Sequence, residues 1–245
     1  MSQNEDKNKN EEDKQENDFK IIKEEISEAN FSFKLIVIGD SSVGKSSLTL
    51  RGTQDFFEEV YTSTIAFEFR TFIIKIKNKF IKLQIWDTCG QEVYSSLISS
   101  FYRNASLAII VYSIDNQESF DNLESWLDEI KSNTHSNIKI FLIGNKLDLE
   151  NKRVIDKNMA EELVKEHNLD LFLETSAKKG INAQKVFVTA AQMLLEDYKK
   201  YEDSEENDSY FSKDKISVST NTLTYNNEND VENNENGSKN KKWCC

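Results

Sequence analysis

Apolar positions concentrate in the middle of the chain and change period along it. Phe33–Ile38 is a run of strand length closed by Gly39, and residues 107–112 and 139–143 are two more. Runs that are apolar on both faces suit central strands of a parallel sheet with helices on each side. Residues 65–76 and 79–87 alternate more clearly, and Lys77-Asn78-Lys79 between them reads as a hairpin. Helical spacing follows at 45–52, 117–132, 157–167 and 183–200, the second with a stripe of Phe120, Leu123, Trp126, Leu127 and Ile130. A last short strand ends near Glu174. The order βαββαβαβαβα predicts an α/β domain whose six-stranded, mostly parallel sheet carries helices on both faces. In such sheets ligands sit at the carboxyl ends of the strands.

The flanks differ in character. Residues 1–30 and 202–245 each carry ten acids against five bases, so of the net −12 only −2 belongs to 31–201. Three units follow: a disordered acidic arm over 1–30, a folded domain over 31–201 and a flexible tail over 202–245. Within the arm, 19–30 allows one amphipathic helical turn, but disorder is the expectation. No basic face is evident for binding nucleic acid. No apolar run reaches the ~20 residues of a membrane-spanning helix, and the N-terminus lacks a signal-peptide pattern. With three cysteines, Cys89, Cys244 and Cys245, in 245 residues, a disulfide framework is excluded and a reducing, intracellular setting is expected.

Chemistry enters with Gly39-Asp40-Ser41-Ser42-Val43-Gly44-Lys45-Ser46, which follows a strand and opens a helix. That is the context the G-x-x-x-x-G-K-[ST] phosphate loop requires. Backbone N–H groups from Ser42 through Ser47, Val43 and Gly44 included, can face phosphate oxygens at a positive helix end. Lys45 would neutralise β- and γ-phosphate oxygens, and the Ser46 hydroxyl would coordinate Mg²⁺.

The base is specified elsewhere. In Asn145-Lys146-Leu147-Asp148, at another strand's carboxyl end, Asp148 can accept from both N1–H and the 2-amino group of guanine, a pairing adenine cannot make. Ser176-Ala177-Lys178, after the last strand, offers a backbone N–H near Ala177 to the guanine O6. Each motif is weak alone; in this order behind a phosphate loop they point to GTP and GDP. An ATPase or kinase would leave Asn145, Lys146 and Asp148 without a reason.

Hydrolysis has its own candidates. Asp87 ends a strand beside the phosphate loop and would hold Mg²⁺ through water, Gly90 can bring its N–H to a γ-phosphate, and Gln91 can orient an attacking water. Thr64 would complete the Mg²⁺ shell when a γ-phosphate is present. Phe57 would cover the base edgewise, and Tyr61 joins the nucleotide contacts. Segments 55–69 and 88–103 would be ordered by the γ-phosphate and released on hydrolysis. Gln91, Lys45 and Thr64 are the catalytic candidates.

On these motifs residues 31–200 resemble the Ras superfamily of small GTPases, and most closely the Rab family. Rab-like details are Ser63-Thr64-Ile65 followed by Phe69, Trp86 before Asp87-Thr88, Phe101-Tyr102-Arg103, and a terminal Cys-Cys after a long polar tail. The resemblance implies a GTP/GDP-cycling switch that regulates vesicle traffic, with Phe69, Trp86 and Phe101 facing effectors. It implies an exchange factor, a GTPase-activating protein, a GDP-dissociation inhibitor, an escort protein and geranylgeranyl groups on Cys244 and Cys245. The expected form is a monomer on the cytoplasmic face of a Golgi or endosomal membrane, with a cytosolic pool. Ala66, Cys89 and Val93 depart from the usual Gly, Ala and Arg of the family. If those departures silenced turnover, the chain would be a guanine-nucleotide-binding scaffold; intact Gln91, Thr64 and Lys45 favour the hydrolase. With no arginine placed at the γ-phosphate, intrinsic turnover on the order of 10⁻⁴ s⁻¹ is expected.

Overall fold

The computed structural model describes residues 19–24, 26, 28–59, 67–88 and 101–205. In chain order the elements are β1 (Phe19–Ile22), β2 (Phe31–Ile38), α1 (Lys45–Gln54), β3 (Phe67–Ile76), β4 (Lys79–Thr88), β5 (Leu107–Ser113), α2 (Gln117–Asp121), α3 (Leu123–Asn133), β6 (Lys139–Asn145), a 3₁₀ turn (Leu147–Lys152), α4 (Lys157–Glu166), β7 (Leu171–Glu174) and α5 (Ala183–Glu205). They form one sheet of order β1-β3-β4-β2-β5-β6-β7. β4, β2, β5, β6 and β7 run parallel, whereas β3 pairs antiparallel with β4 and with β1.

The period of two along each central strand sorts side chains between two cores. Phe33, Leu35 and Val37 of β2 join Leu107, Ile109 and Val111 of β5 under Leu48 of α1 and Val186, Phe187 and Leu194 of α5. Ile36, Ile38, Ala108, Ile110 and Leu142 face the other way, against Leu123, Trp126, Leu127 and Ile130 of α3 and Ala160 of α4. All of these are buried, and each of the larger side chains (Val, Leu, Ile, Phe) contributes roughly 1.5–3 kcal/mol through removal from water. Strands apolar on both faces therefore fix a central sheet with helices on each side, as the sequence predicts.

Three expectations need correction. The sheet has seven strands, not six, because Phe19-Lys20-Ile21-Ile22 pairs with β3 in the register Phe19↔Ile76 to Ile22↔Ile73. Residues 19–22 are therefore neither a helical turn nor disordered. Phe19 and Ile21, two apart, both pack on the α1–α5 core face, and the added strand satisfies backbone groups of what would otherwise be an open edge. The helix expected over 117–132 is split at Asn122, whose side chain is drawn to Asp40. The last helix runs to Glu205 rather than stopping at 200, since no Gly or Pro follows to end it. Among the described residues no helix is long and apolar enough to cross a membrane.

Candidate nucleotide site

The loop between β2 and α1 is shaped by two glycines with positive φ. At Gly39 (φ +131) a Cβ would lie 2.1 Å from the Val111 carbonyl oxygen of β5, so only glycine lets the loop leave the sheet there. At Gly44 (φ +94) a Cβ would lie 2.5 Å from Asn145 Nδ2. Ser42 also sits in the left-handed region, at φ +65. Gly44 brings no side chain to cap α1, and the first turn holds no acidic residue. The positive end of α1 is thus left to a ligand rather than to a capping side chain. Val43 and Lys45 are buried, Ser46 and Ser47 half-buried and Ser42 exposed. Lys45 Nζ donates to the carbonyls of Gly39 and Asp40, each at 2.7 Å.

Asn145, at the end of β6, connects this loop to the base-recognition segments. Its Nδ2 donates to the carbonyls of Val43 (3.0 Å) and Gly44 (3.3 Å). Its Oδ1 accepts from Thr175 Oγ1 at 3.0 Å and from the Ala177 N–H at 3.4 Å. Three segments more than a hundred residues apart at the extremes are therefore joined through one buried amide. Backbone bonds reinforce the join, from Thr175 N to Gly144 O (2.8 Å) and from Leu147 N to Thr175 O (2.9 Å). The Ala177 N–H, expected to face a guanine oxygen, here points to Asn145 at the long end of hydrogen-bonding range.

Asp148 lies in the 3₁₀ turn after β6, where its Oδ1 accepts from Ser176 Oγ at 2.5 Å. Ser176 Oγ in turn accepts from the Lys179 N–H at 3.0 Å, so the carboxylate and the loop carrying Ala177 hold each other in place. Among the described residues Asp148 Oδ2 has no hydrogen-bond partner. Lys146 adopts a left-handed φ of +67 and its ammonium lies 3.9 Å from Asp115. Lys178 is exposed, its carbonyl within 3.5 Å of Arg51. Behind these loops Arg153 pairs with both Glu174 (2.5 Å) and Glu150 (2.7 Å).

Asp87 closes the site from the sheet. It stands opposite Val37 in the β2–β4 register, and Val37 lies two residues before Gly39 in the chain. Its carboxyl is fully buried, and neither oxygen meets a hydrogen-bond donor with good geometry among the described residues. Burial pushes it up to about 7, while the Ser46 hydroxyl and the Lys45 ammonium pull the other way and only partly offset the loss of water. Burying the ionised form is costly unless a cation or donor offsets the lost water.

The structure brings together Ser42, Val43, Gly44, Lys45, Ser46, Ser47, Asp87, Asn145, Lys146, Asp148, Ser176, Ala177 and Lys178 at the carboxyl ends of β2, β4, β6 and β7. Phe57, half-buried beyond α1, makes no ring contact with these loops among the described residues. Tyr61, Thr64, Gly90, Gln91, Cys244 and Cys245 lie outside the described residues, as do Ala66, Cys89 and Val93. On the outer sheet face the Phe69 and Trp86 rings meet at 5.3 Å, and Phe67 adds a third ring 5.7 Å from Trp86. Phe101 joins through Lys34, whose ammonium lies 5.0 Å from the Trp86 ring and 5.9 Å from that of Phe101. Phe67 and Phe69 are about half exposed, at 49% and 48%.

Two residues of the site are not singled out by motif. Trp126 reads as core in its helical stripe, yet its indole N–H binds Asp40 of the phosphate loop at 2.8 Å. A tryptophan in a buried stripe needs an acceptor for that N–H, which is the signal that could have found it. Asn122 donates to the same carboxylate at 2.8 Å; a lone Asn inside a helical pattern gives no such sign.

The Ras family model matches residues 34–196. Ras-related protein Rab-13 of Rattus norvegicus is 42% identical over 163 residues, which is 66% of this chain and 80% of that protein. Ras-related protein Rab-13 of Bos taurus matches with the same identity and coverage. With a phosphate loop and a base-recognition motif joined in one site, and this identity over most of the relatives' length, the chain belongs to the Rab family of small GTPases: it is a GTP-hydrolysing switch of membrane traffic.

Proposed function

We propose that GTP lies across the carboxyl ends of the parallel strands, its phosphates along Ser42 to Ser47 and its base between the segments Asn145–Asp148 and Ser176–Lys178. The observation that carries this reading is the Asn145 amide, which binds Val43 and Gly44 on one side and Thr175 and Ala177 on the other. A residue that fastens phosphate loop to base loops fixes the span a nucleotide must bridge. Asp148 presents one oxygen held by Ser176 and a second without a protein partner, which suits the two donors on the edge of guanine. Gly90 offers an N–H to the γ-phosphate, and Phe57 and Tyr61 complete the nucleotide contacts.

Mg²⁺ fits the buried Asp87 carboxylate, whose two oxygens want a cation and whose neighbour Ser46 is a hydroxyl ligand of the right hardness. Ser46, Asp87 and Thr64 would hold it, and when bound it supplies charge neutralisation for the phosphate oxygens. Lys45, aimed by the carbonyls of Gly39 and Asp40, turns its remaining N–H to phosphate oxygens. Gln91 orients the water for in-line attack and Thr64 senses the γ-phosphate, so positioning and electrostatics carry the rate. Turnover is slow without an activating protein, on the order of 10⁻⁴ s⁻¹.

The folded switch runs from β1 through α5, which ends at Glu205, and the segment beyond it would place it on a membrane. Geranylgeranyl groups on Cys244 and Cys245 give stable anchoring where one chain would give only reversible binding. A GDP-dissociation inhibitor then sustains a cytosolic pool, while exchange factor, activating protein and escort protein act on the same cycle. The half-exposed rings of Phe67, Phe69 and Trp86, with Phe101 beyond Lys34, form the face offered to effectors.

Displacement of labelled GDP from the purified chain tests this reading. GTP and GDP displace it equally well, ATP does not at a thousandfold excess, and chelation of Mg²⁺ speeds release. Displacement by ATP would refute the base assignment. In cells, replacing both Cys244 and Cys245 by serine leaves the protein wholly cytosolic; membrane association that persists would refute the anchor.

A further inference from the structure

Asp40 is part of the phosphate loop, yet its carboxylate faces away from the place assigned to phosphate. Oδ1 accepts from Trp126 Nε1 and Oδ2 from Asn122 Nδ2, each at 2.8 Å. Both donors belong to the start of α3 on the opposite core face, 86 and 82 residues along the chain. Asn122 is the residue at which the expected continuous helix is broken. The carbonyl of the same Asp40 accepts the Lys45 ammonium at 2.7 Å, alongside the carbonyl of Gly39. Turning Asp40 about its backbone would therefore move both its carboxylate and one of the two carbonyls that aim Lys45.

We infer that Asp40 is a positioning residue whose carboxylate, clamped by Trp126 and Asn122, sets the aim of Lys45 and hence the strength with which the β-phosphate is held. Gly39 cannot do this alone: its side is fixed against Val111, while the chain from Asp40 to Ser42 is exposed or half-exposed. Hydrogen bonds from N–H donors to a carboxylate are about twice as strong as neutral ones, so the exposed or half-exposed stretch Asp40–Ser42, ahead of the buried Val43, gains its orientation chiefly from these two. The clamp also makes α3 a lever on nucleotide affinity, since a shift of its first turn would be felt at Lys45.

The inference rests on the nucleotide reading above, and its test separates the two. Full-length wild type, Trp126→Phe, Asn122→Ala and Asp40→Ala are compared for displacement of labelled GDP by GDP and by GMP. GMP shares the base and sugar contacts but lacks the β-phosphate that Lys45 meets. Trp126→Phe keeps the ring in the core and removes only the N–H. It should weaken GDP about tenfold, the effect expected for one hydrogen bond to a charged group, and leave GMP within twofold. Asp40→Ala removes both bonds and should weaken GDP by more than tenfold, and adding Trp126→Phe to it should change nothing further, because the bond that variant removes is already gone. Asn122→Ala carries the test if Trp126→Phe does not fold, since Asn122 sits at a helix junction near the surface. Equal weakening of GDP and GMP, or unchanged GDP binding in these variants, would overturn the clamp. A wild type that fails to bind GDP would instead overturn the nucleotide reading.

Discussion

Replacing Asn145 by alanine removes four hydrogen bonds at once. Two run from Nδ2 to the carbonyls of Val43 and Gly44, and two arrive at Oδ1 from Thr175 and Ala177. Three are between 3.0 and 3.3 Å and count fully, whereas the bond from Ala177 at 3.4 Å counts for less. At about 1 kcal/mol each, the loss is about 3 kcal/mol, and Thr175 Oγ1 is left buried without an acceptor. Because these bonds join the two halves of the nucleotide site, most of the loss should appear in binding: GDP should dissociate ~100-fold faster or more. Asn145→Asp should be worse near neutral pH, since it removes both donors and sets a carboxylate against two carbonyl oxygens. The assay is release of a fluorescent GDP analogue, followed beside thermal unfolding of the nucleotide-bound protein. Release from Asn145→Ala within threefold of wild type would refute the claim that this amide holds the site together.

Other consequences are as direct. Asp148→Asn keeps an oxygen for the Ser176 hydroxyl but puts an N–H₂ against the guanine 2-amino group, so GTP should weaken ~10³-fold while xanthosine triphosphate, with a carbonyl at that position, gains; competition between the two nucleotides decides it. The Asp87 carboxyl, raised to about 7 in the fold from an unfolded 3.8, contributes to metal-free stability most fully below pH 4, and that contribution is lost as pH rises toward 7. The slope should approach ~1.4 kcal/mol per pH unit within that window. Asp87→Asn should abolish it in urea unfolding with a chelator present; identical pH profiles for the two proteins would contradict the buried-carboxylate account.

How much of this was legible beforehand depends on the range of the interaction. The phosphate loop is local: a strand, two glycines and a helix start within eight residues, so sequence spacing gave its position and its residues. Asn145 was legible as part of a motif but not as a brace, because its partners Val43 and Thr175 are distant in the chain and meet only when β2, β6 and β7 align. β1 was missed for the same reason. Phe19-Lys20-Ile21-Ile22 is too short to stand out from an acidic arm, and what makes it a strand is the open edge of β3. Trp126 shows the limit of periodicity: the helical stripe placed its ring in the core correctly, but the direction of its one polar atom depends on Asp40, 86 residues earlier.

Single-turnover hydrolysis of GTP by the purified full-length chain with Mg²⁺, beside Gln91→Leu, tests the central claim most directly. A switch of this family should convert bound GTP to GDP slowly, at ~10⁻⁴ s⁻¹, and Gln91→Leu should lower that rate at least tenfold without weakening GTP binding. Tight GTP binding with no conversion in the wild type, or conversion indifferent to Gln91→Leu, would contradict it.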